Sequence, residues 1–202
     1  MYPTTVKHCI GIQGLWEPFS VGYKGVKGSF ESFSSQKTDR TFVINTLLEE
    51  ILSHTGNIIQ SEDEVCFAYP AGPGPFTGLR AIDSFVEGVR APFGGVVCTP
   101  TLFRLFQSLV KEERFHMFIH HHKNAFFDAT LKKENDQITL ISIEQQPYKN
   151  KDIKRNIPIY SCGVKIGSPL PEVTGLTCAE FAWESQSFSA RSDIFYGANP
   201  IK

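Results

Sequence analysis

The sequence is short of the features that usually assign a chain quickly. No stretch approaches the ~18 consecutive apolar residues of a membrane span, so none is expected to cross a bilayer. The first residues, MYPTTVKHCIGIQG, contain no basic segment followed by an apolar core, and no secretory signal is expected. There is no surplus of either charge: 20 basic and 21 acidic residues leave a formal net charge of −1. Without a basic field, autonomous nucleic-acid binding is excluded as the main activity. There is no C-x-x-C pair. The five cysteines, Cys9, Cys66, Cys98, Cys162 and Cys178, are odd in number and widely spaced. Cys9, Cys66 and Cys98 lie in apolar runs, which points to buried free thiols and a cytoplasmic, reducing compartment. Neither Cys98 nor Cys162 has a histidine beside it in sequence, so inert thiols are expected rather than nucleophiles.

What is present is an ordinary globular composition, 41% hydrophobic and 20% charged over 202 residues. Apolar alternation predicts strands over 6–12, 19–24 and 29–33, then a helix Phe42–His54 capped by Asp39 or Thr41 and stopped by Gly56. A buried strand over 65–69, a helix Gly78–Arg90, a strand over 95–99 and a helix over 100–110 follow. The second half reads as strands over 115–121, 125–132, 137–143 and 157–162, with a polar connector and a final helix over 176–186. Both halves open with strands in a row. This predicts two related lobes, 1–100 and 101–202, with the last helix placed to cross back to the first.

The stretch YPAGPGPFTGLR, Tyr69 to Arg80, crowds glycines and prolines ahead of a helix. It fails as a P-loop, because Leu79 and Arg80 stand where Lys and Ser/Thr are needed. It fails as a dinucleotide fingerprint, because Gly72, Gly74 and Gly78 are spaced G-x-G-x-x-x-G. Pro73 and Pro75 cannot donate, which leaves Gly74, Phe76 and Thr77 as an anion corner at a helix N-terminus. The alternative is a rigid structural turn with Thr77 as the N-cap. Arg80 opposes the helix dipole in the first turn and calls for a specific partner. Beyond it, Leu79, Ile82, Val86 and Val89 form one apolar stripe. Ala81, Ser84 and Gly88 form a second stripe of small residues, either solvent-facing or the seat of another helix.

The nine residues Gly72, Pro73, Gly74, Pro75, Phe76, Thr77, Gly78, Leu79 and Arg80 resemble the G-P-G-S-F-T-G-L-R signature of the TsaB (YeaZ, glycoprotease-like) family. They match at eight positions, with Pro75 for Ser. The segment GGVVCTPTLF that follows is similar to the family's next strand and helix start. The chain departs from the family in three places. Gln13 stands near the family's first-strand Asp, KTDRT replaces its His-Ser, and HHHKNAFFDAT only loosely matches its D-A-R-x-x-E-V-Y. The resemblance implies an α/β fold of two ribonuclease-H-like lobes, as in the actin-like and Hsp70-like ATPases (ASKHA). It implies a non-catalytic subunit of the tRNA threonylcarbamoyladenosine-modifying complex, with no cofactor and no metal of its own. A TsaD-like transferase would be the partner and a TsaE-like ATPase would join the larger assembly, with tRNA contacted only indirectly. Pairing through the first two helices would place Leu47, Ile51, Ala81, Ser84 and Gly88 at the partner surface. A homodimer using the same faces, or a phosphotransferase or metallohydrolase of the same fold, are the competing readings. Gln13 argues against the enzymes, since a neutral amide cannot hold Mg²⁺ as a carboxylate does.

Two clusters remain. On a regular strand His116, Phe118, His120 and His122 share one face. With no acidic residue among them they are expected to be structural or surface histidines rather than metal ligands. Lys149, Lys151, Lys154 and Arg155 are expected to form a solvated basic loop.

Overall fold

The computed structural model describes residues 6–26, 28–34, 39–55, 65–107, 109–135, 137–147, 158–162, 168–169 and 173–189. Strands β1 (His8–Gln13), β2 (Phe19–Gly25) and β3 (Gly28–Ser34) precede helix α1 (Arg40–Thr55); β4 (Val65–Ala68), helix α2 (Phe76–Phe93) and β5 (Val96–Cys98) follow. A single-turn helix α3 (Leu102–Leu105) leads to β6 (Arg114–His122), β7 (Ala125–Glu134), β8 (Gln137–Pro147), β9 (Ile159–Cys162), β10 (Ser168–Pro169) and helix α4 (Gly175–Ser185). The strands form two five-stranded sheets, ordered β3-β2-β1-β4-β5 and β10-β9-β6-β7-β8. In each sheet an antiparallel meander is extended by parallel strands. This is the ribonuclease-H-like arrangement, made twice, once in each lobe.

The first sheet is buried on both faces, and its strands divide their side chains accordingly. Ile10, Ile12, Val21, Tyr23, Val65, Phe67 and Val97 face α1 and α2 and form one core with Ile44, Leu47, Leu48, Ile51, Leu79, Ile82 and Val86. Cys9, Cys66, Ala68, Val96 and Cys98 alternate with them and face a second core. That core also takes in α3, the strands β6 and β7 and the inner side of α4.

Helix α4 is the last of the described elements yet packs on the first sheet, across β1 and β2. The approach is close because the facing positions are small. A Cβ on Gly11 would lie 1.9 Å from the Gly175 carbonyl oxygen, and one on Gly22 would lie 2.2 Å from the Leu176 nitrogen. The first lobe also satisfies the helix's free N–H groups. Gly175 N–H donates to Ser20 Oγ at 2.7 Å and Leu176 N–H donates to the Glu31 carboxylate at 2.8 Å. Thr174 and Thr177 complete a reciprocal cap.

Asp39 caps α1, accepting from Phe42 N–H at 3.0 Å. Gly56 and the basic loop Lys149–Arg155 lie outside the described residues. The helix expected over 100–110 ends after one turn at Leu105. The carbonyls of Gln107 and Val110 are turned to the Lys133 ammonium, which donates to them at 2.9 and 2.8 Å. Among the described residues no helix is long and apolar enough to cross a membrane.

Candidate functional site

The proline–glycine corner leaves β4 and runs beside the segment after β5. Tyr69 N–H donates to Cys98 O, Ala71 N–H to Pro100 O and Leu102 N–H to Gly72 O, at 3.1, 2.8 and 2.6 Å. Gly72 has φ +111°, a left-handed value open to glycine. The Gly72–Pro73 bond is cis. Gly74 has a different reason: a Cβ there would stand 3.1 Å from Leu15 Cδ1. The corner, 71–75, is buried.

Thr77 does not cap the helix that follows. Helix α2 begins at Phe76 with Pro75 at the boundary in an extended conformation (φ −62°, ψ 121°) and with no side-chain cap. The proline ring fixes the φ at which the chain enters the helix, so Thr77 falls inside the first turn and is exposed. Arg80 finds its partner in an aromatic ring, with Cζ 5.4 Å from the centre of Phe76.

Gly78 has a role that sequence reasoning missed. Arg40, at the start of α1, lays its guanidinium here, and a Cβ on Gly78 would be 2.9 Å from Arg40 Nη1. The same group sits 5.4 Å over the Phe19 ring. Burial lowers its pKa while Asp39 and Glu17 favour its charge. The only sequence hint was the unexplained KTDRT at the start of the helix.

Gln13 ends β1 and is 2% exposed. Its side-chain oxygen accepts from Leu15 N–H at 2.8 Å and from Trp16 N–H at 3.5 Å. Its Nε2 donates to the carbonyls of Trp16 and Pro18, both at 3.1 Å. The amide is therefore spent on shaping the turn between β1 and β2. A Mg²⁺–nucleotide does not fit here: there is no carboxylate at the strand end, the amide is already fully bonded, and two corner residues lack N–H donors.

The histidines separate. His116 Nδ1 and Asp128 Oδ1 form a buried pair at 2.9 Å on the second sheet. A bulge between His120 and His122 then breaks the strand's alternation, so His122 does not simply continue the face of His116 and Phe118. His121 is the inserted residue. Its ring centre lies 4.4 Å from that of Phe127, tilted by 37°, and the ring faces the Gly74 backbone across the lobe seam. Among the described residues no three His, Cys, Asp or Glu side chains gather as a metal site.

All five cysteines are free and buried. Burial raises the Cys66, Cys162 and Cys178 thiols well above the usual range and pushes Cys98 up to about 11. A thiol held protonated is a poor nucleophile.

Of the expected partner-surface residues, Leu47 and Ile51 face the chain's own sheet and are 4% and 2% exposed. Their stripe is taken by the core. Ser84 and Gly88 are exposed and Ala81 half-buried on the outer side of α2. A Cβ on Gly88 would meet no atom within 4 Å.

A scan against protein-family models gives no match. A search of curated proteins gives none either. Solved structures do match. A protein described as uncharacterized, with similarity to peptidase YeaZ from Pseudomonas aeruginosa, superposes with a TM-score of 0.69 over 96% of this chain and 100% of its own, at 15% identity. YeaZ from Pseudomonas aeruginosa gives 0.66 over 94% and 100%, also at 15% identity. The fold is that of YeaZ. Both comparisons span nearly the whole chain, so the YeaZ likeness covers both lobes and the return of α4 as well as the corner. At this identity the YeaZ likeness fixes the fold, and function has to be argued from residues.

Proposed function

We propose that this chain is a TsaB-like, non-catalytic subunit of a tRNA threonylcarbamoyladenosine-modifying complex, which binds and supports a TsaD-like transferase. The observation that carries this reading is the signature corner, Gly72 to Arg80, set in a YeaZ fold whose β1 end offers an amide occupied on both sides instead of a free carboxylate. Such a scaffold keeps the architecture of an ATPase fold without the carboxylate that phosphoryl transfer needs. Its task is then to present a surface. The outer side of α2, with Ala81, Ser84 and Gly88, supports close approach by a partner helix, near the low end of the ~8–10 Å range of axis separations. A TsaE-like ATPase would join the same assembly, and tRNA would be met through the complex. A second copy of this chain is the competing occupant of the same stripe.

The test is co-purification with the cognate TsaD-like protein on size exclusion, followed by nucleoside analysis of tRNA from depleted cells. Ser84→Arg or Gly88→Arg should abolish co-elution, because overpacking costs about 1–3 kcal/mol and an unpaired buried charge more. Either variant should leave the melting temperature of the isolated chain within a few degrees of the parent. Unchanged association would remove α2 from the interface. Unchanged tRNA modification in depleted cells would reject the functional reading itself.

A further inference from the structure

One imidazole stands where the second sheet meets the corner. His121 owes its position to the bulge between His120 and His122, which turns one extra residue of β6 toward the first lobe. There it meets the corner backbone at Gly74 and lies against Phe127. Its Nδ1 is buried with no hydrogen-bond partner among the described residues. A neutral ring tolerates this, since one nitrogen carries no proton. A charged ring has to donate from both nitrogens, and one of them has no acceptor.

We propose that the seat of His121 on the Gly74 corner is an acid-released latch between the lobes, shut while the ring is neutral and opened by its protonation. The surroundings bear on this from every side. On its own strand His120 and His122 flank it, with the ring centres of His121 and His122 4.7 Å apart. The corner contributes backbone only, because Ala71 to Pro75 contain no titratable side chain. From the start of α1, Arg40 adds positive charge felt at His120. Asp39 and Glu17 act on Arg40. Strand β7 contributes the apolar Phe127, and Gln145 of β8 meets His122 with a neutral amide. The histidine cluster itself therefore becomes more positive on acidification.

The direction agrees with this geometry. Burial, followed by the neighbouring His122, holds His121 below the ordinary histidine value, and the Gly74 backbone offsets this only in part. Burial likewise lowers His120. For a base with a depressed folded pKa, the open or unfolded form takes the proton first. The contact is at full strength above about pH 6.5 and weakens as pH falls toward the folded value.

Hydrogen exchange on the full chain tests the latch, comparing protection at pH 7.5 and pH 5 after correction for intrinsic rates. Protection of the corner amides should fall on the order of tenfold for each pH unit between the unfolded and folded values. The amides of β1 and α4 serve as the reference and should change less. His121→Gln keeps a donor and removes the titration, so its corner protection should be independent of pH. An equal acid loss in His121→Gln overturns the proposal. Ring titration of the parent by NMR is the second readout, and it does not depend on that variant folding. The His121 ring should titrate below 6.5 and rise in His122→Gln, where a like charge is gone. A ring titrating at or above 6.5, or one indifferent to His122→Gln, overturns it as well.

Discussion

Gln13 is a single side chain that replaces four backbone partners. It holds the turn between β1 and β2 by accepting from two N–H groups and donating to two carbonyls. Gln13→Ala would leave the buried N–H of Leu15 unsatisfied, at about 1–3 kcal/mol, and would loosen the turn that carries Leu15 against Gly74. A fall in the urea midpoint equal to that loss divided by the slope, with the slope itself unchanged, is the expected result. Cysteine chemistry belongs to the same scale. Because burial raises four of the five thiols, with Cys98 near 11, a thiol reagent at pH 8 should label the folded chain slowly and at the rate of its opening. Rapid labelling of any of these four in the native chain would contradict their placement.

At the scale of elements, the small residues decide which pieces can touch. Gly11 and Gly22 have no room for a methyl group under α4, because its backbone occupies the space. Gly11→Ala should lift α4 off β1, at about 1–3 kcal/mol or more, and expose the second core; a lowered thermal midpoint with dye binding to apolar surface would show it. Element order and type were legible in the sequence because buried strands of four to seven residues and the stripe of α2 leave strong periodic signals. What could not be read depends on tertiary partners. The turns that follow α3 are held by Lys133, which is 23 residues beyond Val110 and donates to its carbonyl. The bulge at His121 is a register irregularity between strands, and no local pattern encodes it. The same holds for the site. The corner was visible as a motif, whereas Arg40 crossing Gly78 was not, since the two residues meet only after α1 and α2 are placed side by side. Leu47 and Ile51 looked surplus in a broad apolar face, and the sheet uses them.

For the whole molecule, the two sheets are tied together by shared apolar packing and by the return of α4 more than by any hinge peptide. That return has a consequence for how the protein is made. Synthesis proceeds from the N-terminus, and the side of the first sheet that carries Gly11 and Gly22 is finished only by residues about 160 positions further on, as the bond from Gly175 to Ser20 across 155 positions shows. Until α4 clears the ribosome, the nascent first lobe presents its thiols and glycines uncovered, and it cannot commit to its final shape as a self-contained unit would. At about 5–20 residues per second, the stretch from the end of β5 to the end of α4 takes roughly five to fifteen seconds. During it, a chaperone has a binding surface that disappears once α4 has docked.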